Sequence, residues 1–294
     1  MMNKIKYFLK ATRPKTLPAS IIPVLIGSSI AYKEHFFNLL LFILTAICSI
    51  LIQIITNYIN EIYDFKRGAD TKERLGPQRV VAAGLVSVKE MRNVSAILIL
   101  ITLILGLIIV NQAGLLILLV GILCLFFAYA YTGGPYPLAY NGLGDIFVFM
   151  FFGIVATCGA YFAQTGKFSL ICLISSLPPG FLSMNILGVN NFRDIDTDKK
   201  AGKITMAVRI GKKKAQNLYV VLNMLSMLIP FALYLLIKSE WIFLPLLSLP
   251  LAVKLSLDIF GKKGKELNNV LAGTGVLLLL NGILTSVGFL IGNF

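Results

Sequence analysis

Acidic residues are scarce in this chain of 294, and seven of the thirteen fall in two short stretches. The first stretch holds Glu61, Asp64, Asp70 and Glu73, and the second Asp194, Asp196 and Asp198. Each is headed by asparagine, as Asn60-x3-Asp64-x5-Asp70 and Asn190-x3-Asp194-x3-Asp198. Carboxylate and amide oxygens are hard ligands suited to Mg2+, which takes one or two carboxylates together with waters and substrate phosphates. Two such clusters facing across a cavity could hold two or more magnesium ions around a diphosphate. Arg13, Lys15, Arg74, Arg79, Arg193, Lys203 and Arg209 are the nearby cations for the remaining oxygens. Charge that stabilises a departing diphosphate lowers the barrier to ionising an allylic carbon–oxygen bond. Two other readings stand beside this one. The acids could be solvated loop residues balancing lysines, as in Asp198-Lys199-Lys200, or an ion or substrate path in a transporter.

The elements that must carry these residues follow from their spacing. Positions three or four apart share a helix face, so Gln53, Asn57, Asn60 and Asp64 form one polar stripe. Asn191, Asp194 and Asp198 form a second, with Asn190 beside it, on a helix that Pro178 and Pro179 should kink or interrupt. The surrounding chain is 57% hydrophobic and 14% charged, with a mean hydropathy of +0.84, far from a soluble domain. Crossing about 30 Å of hydrocarbon takes about 20 apolar residues. Such stretches lie near 17–32, 36–58, 90–110, 113–131, 146–163, 168–189, 215–237, 240–257 and 270–291. The expectation is an all-α integral membrane protein, one domain over 1–294, with nine transmembrane helices around a central cavity. Polar stripes cannot face lipid cheaply, so both should face inward and each other. Both motifs follow even-numbered spans, four spans apart, which suggests a four-helix unit used twice with a ninth helix added.

A net charge of +14 would suggest nucleic acid in a soluble protein. With nine spans, however, 24 of the 27 Lys and Arg fall on the face that includes the N-terminus, and only Lys33, Lys167 and Lys238 on the other. This positive-inside bias places the N-terminus and both acidic loops in the cytoplasm and Phe294 outside, and leaves no role for nucleic acid. Cys48, Cys124, Cys158 and Cys172 lie singly inside spans and read as apolar packing. His35 has no partner for metal or catalysis, and no cleavable signal peptide is evident. Asn223, Asn281 and Ser286 should bridge helices, and Trp241 should anchor an interface. Asp145, beside Gly142 and Gly144, either favours a helix N-terminus or approaches a substrate.

At its acidic motifs the sequence resembles the UbiA superfamily of intramembrane aromatic prenyltransferases, and within it the 1,4-dihydroxy-2-naphthoate polyprenyltransferase branch of menaquinone synthesis. Asn60-Glu61-Ile62-Tyr63-Asp64 with Asp70 matches the first family motif, and Arg74-Leu75-Gly76-Pro77-Gln78-Arg79 follows it as in that branch. The second motif runs from Asn190 through Asp198 into Gly202-Lys203-Ile204-Thr205 and Arg209-Ile210-Gly211. Arg13-Pro14-Lys15-Thr16-Leu17-Pro18, Tyr131-Thr132-Gly133-Gly134-Pro135 and Leu138-Ala139-Tyr140 complete the likeness, which covers about residues 11–212. Glu61 stands where the family usually has Asp, and Gly133-Gly134-Pro135 stands where hydroxybenzoate members carry a lysine after the tyrosine.

The resemblance implies a cytoplasmic cap over the cavity, formed by segments 59–89 and 190–214, and a lateral opening for the prenyl tail. It implies Mg2+-assisted loss of diphosphate from a polyprenyl diphosphate, attack by dihydroxynaphthoate and loss of CO2. Homogentisate or 4-hydroxybenzoate are the alternative acceptors. By that resemblance Asn60, Asp64, Asp70, Asn190 or Asn191, Asp194 and Asp198 would hold the Mg2+-diphosphate, and Asn60, Asp64, Asp70, Asp194 and Asp198 would carry catalysis. Arg13, Lys15, Asn57, Arg79, Tyr131, Asn190, Asn191, Arg193, Lys203 and Arg209 would bind substrates, with Arg13 and Lys15 either meeting the acceptor's carboxylate or anchoring the membrane surface. The expected location is the cell inner membrane, in contact with the lipid bilayer.

Overall fold

The computed structural model describes residues 2–70 and 75–292, and these are helical with no strands. Glu73, Arg74 and Phe294 lie outside the described residues. The helices are α1 (Met2–Ala11), α2 (Pro18–Lys33), α3 (Leu39–Lys66), α4 (Val88–Ala113), α5 (Leu115–Ala130), α6 (Gly144–Thr165) and α7 (Leu170–Arg193). Two short helices, α8 (Ile195–Lys200) and α9 (Met206–Ile210), precede α10 (Lys212–Ile237), α11 (Glu240–Gly261) and α12 (Gly264–Ile291). Seven helices, α3, α4, α6, α7, α10, α11 and α12, are long and apolar enough to cross a membrane. The stretches 17–32 and 113–131 form helices of only 16 residues, α2 and α5. At 1.5 Å per residue each reaches about 24 Å, short of the hydrocarbon thickness.

Local chemistry sets the helix ends near the site. Asn38 caps α3 by accepting from the Leu40 and Leu41 amides at 2.9 and 3.2 Å. Ser87 and Glu90 form a reciprocal capping box at the start of α4. Glu90 also takes a contact from Lys4, which ties α1 to this helix. Gly114, at φ +90°, turns α4 into α5. In α7 the helical run breaks at Ser176, just before Pro178 and Pro179, as expected where prolines withhold backbone donors. Helix α6 widens into a π turn over Met150–Val155, which sequence periodicity did not indicate.

Small residues let the helices approach. A Cβ on Gly27 of α2 would lie 2.3 Å from the Thr157 carbonyl of α6, and one on Gly282 of α12 would lie 2.1 Å from Ile22 Cγ2 of α2. Gly153 in the π turn faces Gly180 of α7, where a Cβ would meet backbone at 2.8 Å. The main apolar core joins α2, α7, α10, α11 and α12 through Ile22, Leu182, Met227, Leu255 and Leu277. Asn223 bridges as expected, accepting from Asn185 Nδ2 at 2.9 Å and donating to Ser256 at 3.0 Å. Asn281 donates to Ser248 at 3.3 Å. Ser286 instead returns its hydroxyl to the Gly282 carbonyl of its own helix. Only Ala128 of α5 is buried, so this helix is a thin wall with a cavity on its inner side.

Candidate active site

A cavity of about 820 Å³ runs through the bundle beside α2–α7. Its far walls are apolar, with Ile109 and Val110 of α4, Ile117 and Val120 of α5, and Phe151 and Val155 of α6. Its other end is polar, with Asn57, Asn60 and Asp64 of α3 meeting Asn190, Asn191 and Arg193 of α7. The first stripe therefore faces this space along its length, whereas of the second only Asn191, with Asn190 and Arg193 beside it, reaches it; Asp70, Asp194 and Asp198 lie behind the lining. Gln53, Asn57, Asn60 and Asp64 are all at most 8% exposed, a burial affordable only because they look inward rather than at lipid.

The first motif is organised by Arg79. Its guanidinium reaches Glu61 Oε1 at 3.2 Å, Asp64 Oδ2 at 3.3 Å and Asp70 Oδ1 at 3.4 Å. Glu61 also accepts from the Val81 amide at 3.2 Å, so it holds the returning loop. Asp64 accepts from Tyr140 Oη at 2.8 Å, and Asn60 Oδ1 from Thr132 Oγ1 at 2.7 Å. Asn57 donates to the Thr12 carbonyl at 2.9 Å, fixing the segment that brings Arg13 and Lys15 to the cavity wall.

Arg193 plays the matching part in the second motif. It donates to both oxygens of Asp194, at 2.8 and 2.6 Å, and to Asn190 Oδ1 at 2.7 Å. A further 2.7 Å bond to Asn268 reaches α12, and Asn268 donates to the Leu75 carbonyl at 3.2 Å. Gly76 packs against this guanidinium so closely that a Cβ would lie 2.4 Å from it. Helix α7 ends at Arg193, so Asp194 caps it and Asp198 lies in α8 rather than continuing one straight face. Lys203 lies 3.7 Å from Asp198 and 5.6 Å from the Tyr140 ring centroid. Asp64, Tyr140, Lys203 and Asp198 thus form a continuous chain between the two clusters.

Segment 131–145 is the hub. Burial, reinforced by the charges of Asp145 and Asp64, pushes the Tyr131 phenol well above its usual range. Burial and then Asp64 do the same for Tyr140, so both remain proton donors. Arg209 was expected to face phosphate, but it is exposed, does not line the cavity and donates to the Asn141 carbonyl at 2.7 Å. It also packs on Gly142, where φ is +70° and a Cβ would lie 2.4 Å from Nε. Sequence reasoning gave no role to Tyr140, Thr132 or Asn268. The quoted Leu138-Ala139-Tyr140 motif carried a signal for the first, whereas Asn268 had none.

The donor set suits a hard divalent ion, being amide and carboxylate oxygens without thiolate or imidazole. Among the described residues no three Asp, Glu, His or Cys side chains surround one point. An ion held here would therefore draw on amide oxygens, water and substrate phosphate as well. The contacts with Arg79, Arg193 and Lys203 show that the carboxylates already sit among positive charge.

Residues 20–284 match the UbiA prenyltransferase family. The chain is 33% identical to the 1,4-dihydroxy-2-naphthoate octaprenyltransferase of Haemophilus influenzae, over 99% of this chain and 98% of that protein. It is 33% identical to the same-named protein of Bacillus subtilis, over 96% and 92%. It is 34% identical to that of Escherichia coli, over 86% and 84%. In fold it is similar to a UbiA homologue from Archaeoglobus fulgidus bound to GPP and Mg2+. The TM-score is 0.65, with 17% identity over 96% of this chain and 99% of that one. With the family match running over residues 20–284 and the relatives matching nearly end to end, the chain belongs to the UbiA prenyltransferase family.

Proposed function

We propose that this prenyltransferase moves a polyprenyl group from an isoprenoid diphosphate to 1,4-dihydroxy-2-naphthoate, releasing diphosphate and CO2 and giving demethylmenaquinone. The observation that carries the reading is one apolar cavity with a polar end lined by Asn60, Asp64 and Arg79 of one motif and Asn190, Asn191 and Arg193 of the other. The names of the relatives supply the acceptor.

Asn60, Asp64 and Asp70 on one side and Asn191, Asp194 and Asp198 on the other would hold Mg2+, which supplies charge neutralisation for the departing diphosphate. Arg79, Arg193 and Lys203 release their carboxylates to take phosphate oxygens, an exchange of one anion for another. Tyr140 keeps its proton, donates a hydrogen bond to Asp64 and fixes that carboxylate's orientation. The apolar walls take the prenyl chain and keep water from the allylic cation. Arg13 and Lys15, both on the cavity wall, meet the acceptor's carboxylate. In this reading α2 and α5 also cross the membrane, giving nine crossings, with α5 as the wall beside the prenyl chain's lateral entry. The N-terminus and the cap segments 59–89 and 190–214 then lie in the cytoplasm, under the inner membrane. Purified protein given labelled polyprenyl diphosphate, Mg2+ and each of dihydroxynaphthoate, homogentisate and 4-hydroxybenzoate tests this. A prenylated naphthoquinol identified by mass supports the reading, and product from another acceptor alone rejects it.

A further inference from the structure

Three carboxylates line the cavity: Glu61, Asp64 and Asp145. The first two are occupied by Arg79, the Val81 amide and Tyr140. Asp145 is 4% exposed, and its hydrogen bond is to its own backbone amide in the first turn of α6. Among the described residues no cation or hydroxyl donates to it. Burying a carboxylate without a counter-ion costs several kcal/mol. A helix N-terminus offsets at most about 2 kcal/mol of that, and a neutral Ser or Asn would cap the helix without the burden.

The surroundings aim this group at the reacting centre. The Tyr131 hydroxyl rests against Gly144, 3.2 Å from where a Cβ would stand, and feels both Asp145 and Asp64. Asp145 is therefore about one phenol away from the diphosphate end. Arg209 clamps the Asn141–Gly142 turn that leads into α6, and the Ile204 amide bonds the Tyr140 carbonyl at 3.0 Å. Three contacts thus hold the turn before Asp145, whose carboxylate has its own backbone amide as a partner and borders the cavity.

We propose that Asp145 is the general base for the acceptor, a deepening that rests on the naphthoate reading above. The ring carbon bearing the carboxyl group bonds to the allylic carbon as the carbon–oxygen bond breaks and its electron pair leaves on diphosphate. The neighbouring ring hydroxyl becomes a ketone, and its proton passes to Asp145. The resulting β-keto acid loses CO2, whose bonding pair returns to the ring as an enolate. That enolate oxygen takes the proton back from Asp145, so the residue ends as it began and nothing is oxidised or reduced.

The test compares dihydroxynaphthoate with its methyl ether at the hydroxyl next to the carboxyl group, in wild type and Asp145→Asn. General bases contribute about 10²–10⁴-fold. Wild type should lose about a hundredfold in kcat with the ether. Asp145→Asn should lose about a hundredfold with the natural acceptor but only a few-fold more with the ether, and its KM for polyprenyl diphosphate should stay unchanged. Equal ether penalties in both proteins, or near-normal kcat in Asp145→Asn, would overturn the assignment. If Asp145→Asn fails to fold, Asp145→Ala with added formate decides: turnover restored about tenfold over chloride supports the base, and no restoration refutes it. Wild type that transfers nothing to dihydroxynaphthoate refutes the acceptor reading and with it this proposal. Transfer by wild type with Asp145→Asn unimpaired refutes only the role of Asp145.

Discussion

Asp64 accepts a hydrogen bond from Tyr140 and another from Arg79, while Asp194 is gripped bidentately by Arg193. On the proposed Mg2+-holding role of both carboxylates, Asp64→Ala and Asp194→Ala should each lower turnover by about a hundredfold or more. Thermal melts must show folded proteins, and near-normal turnover in either variant would contradict the two-cluster site. Tyr140→Phe removes one charge-assisted hydrogen bond, of about 1.5–3 kcal/mol, and should cost about tenfold or more in kcat/KM. Because burial and Asp64 raise the Tyr140 phenol, its neutral, donating form persists to above pH 10, and the bond should not titrate in the physiological range. The spacing of Asn60, Asp64, Asn190 and Asp194 made these residues legible, since helical periodicity alone puts them on two faces. The partners were not legible in the same way. Arg79 meets Glu61, Asp64 and Asp70 only because a loop returns, and Asn268 reaches Arg193 from a helix 75 residues further along the chain.

Among the elements, α2 is held close to two neighbours by glycines, its own Gly27 against α6 and Gly282 of α12. Gly282→Val would drive a branched side chain into Ile22 and destabilise the α2–α12 contact by about 1–3 kcal/mol, read as a lowered melting temperature. A melt unchanged from wild type would mean that the two helices can part at no cost. Hydropathy located the long helices well, and Pro178-Pro179 announced the break at Ser176. The π turn of α6 was hidden, because its cause is tertiary: Gly153 and Gly180 bring two backbones into contact. Hydropathy marked 17–32, as short as α2 itself, but ran 113–131 beyond α5, because Ala113 and Tyr131 beside that helix are apolar in type.

For the whole molecule, the proposed orientation follows from placing 24 of the 27 Lys and Arg on one face. A cysteine substituted for exposed Lys200, with the four native cysteines replaced, should react with an impermeant thiol reagent only after the membrane is opened. Labelling from outside intact cells would reverse the topology. The same orientation puts both acidic motifs on the side where the water-soluble diphosphate must leave, and the apolar cavity behind them on the side of the lipid. The central claim is that one event in this cavity joins the prenyl chain to the ring carbon that gives up its carboxylate. The most direct measurement follows carboxyl-labelled dihydroxynaphthoate with unlabelled polyprenyl diphosphate and Mg2+. Label should leave as CO2 in a one-to-one ratio with prenylated product and with diphosphate. Prenylated product that retains the label would contradict the naphthoate assignment, and no product with any acceptor would contradict the enzyme itself.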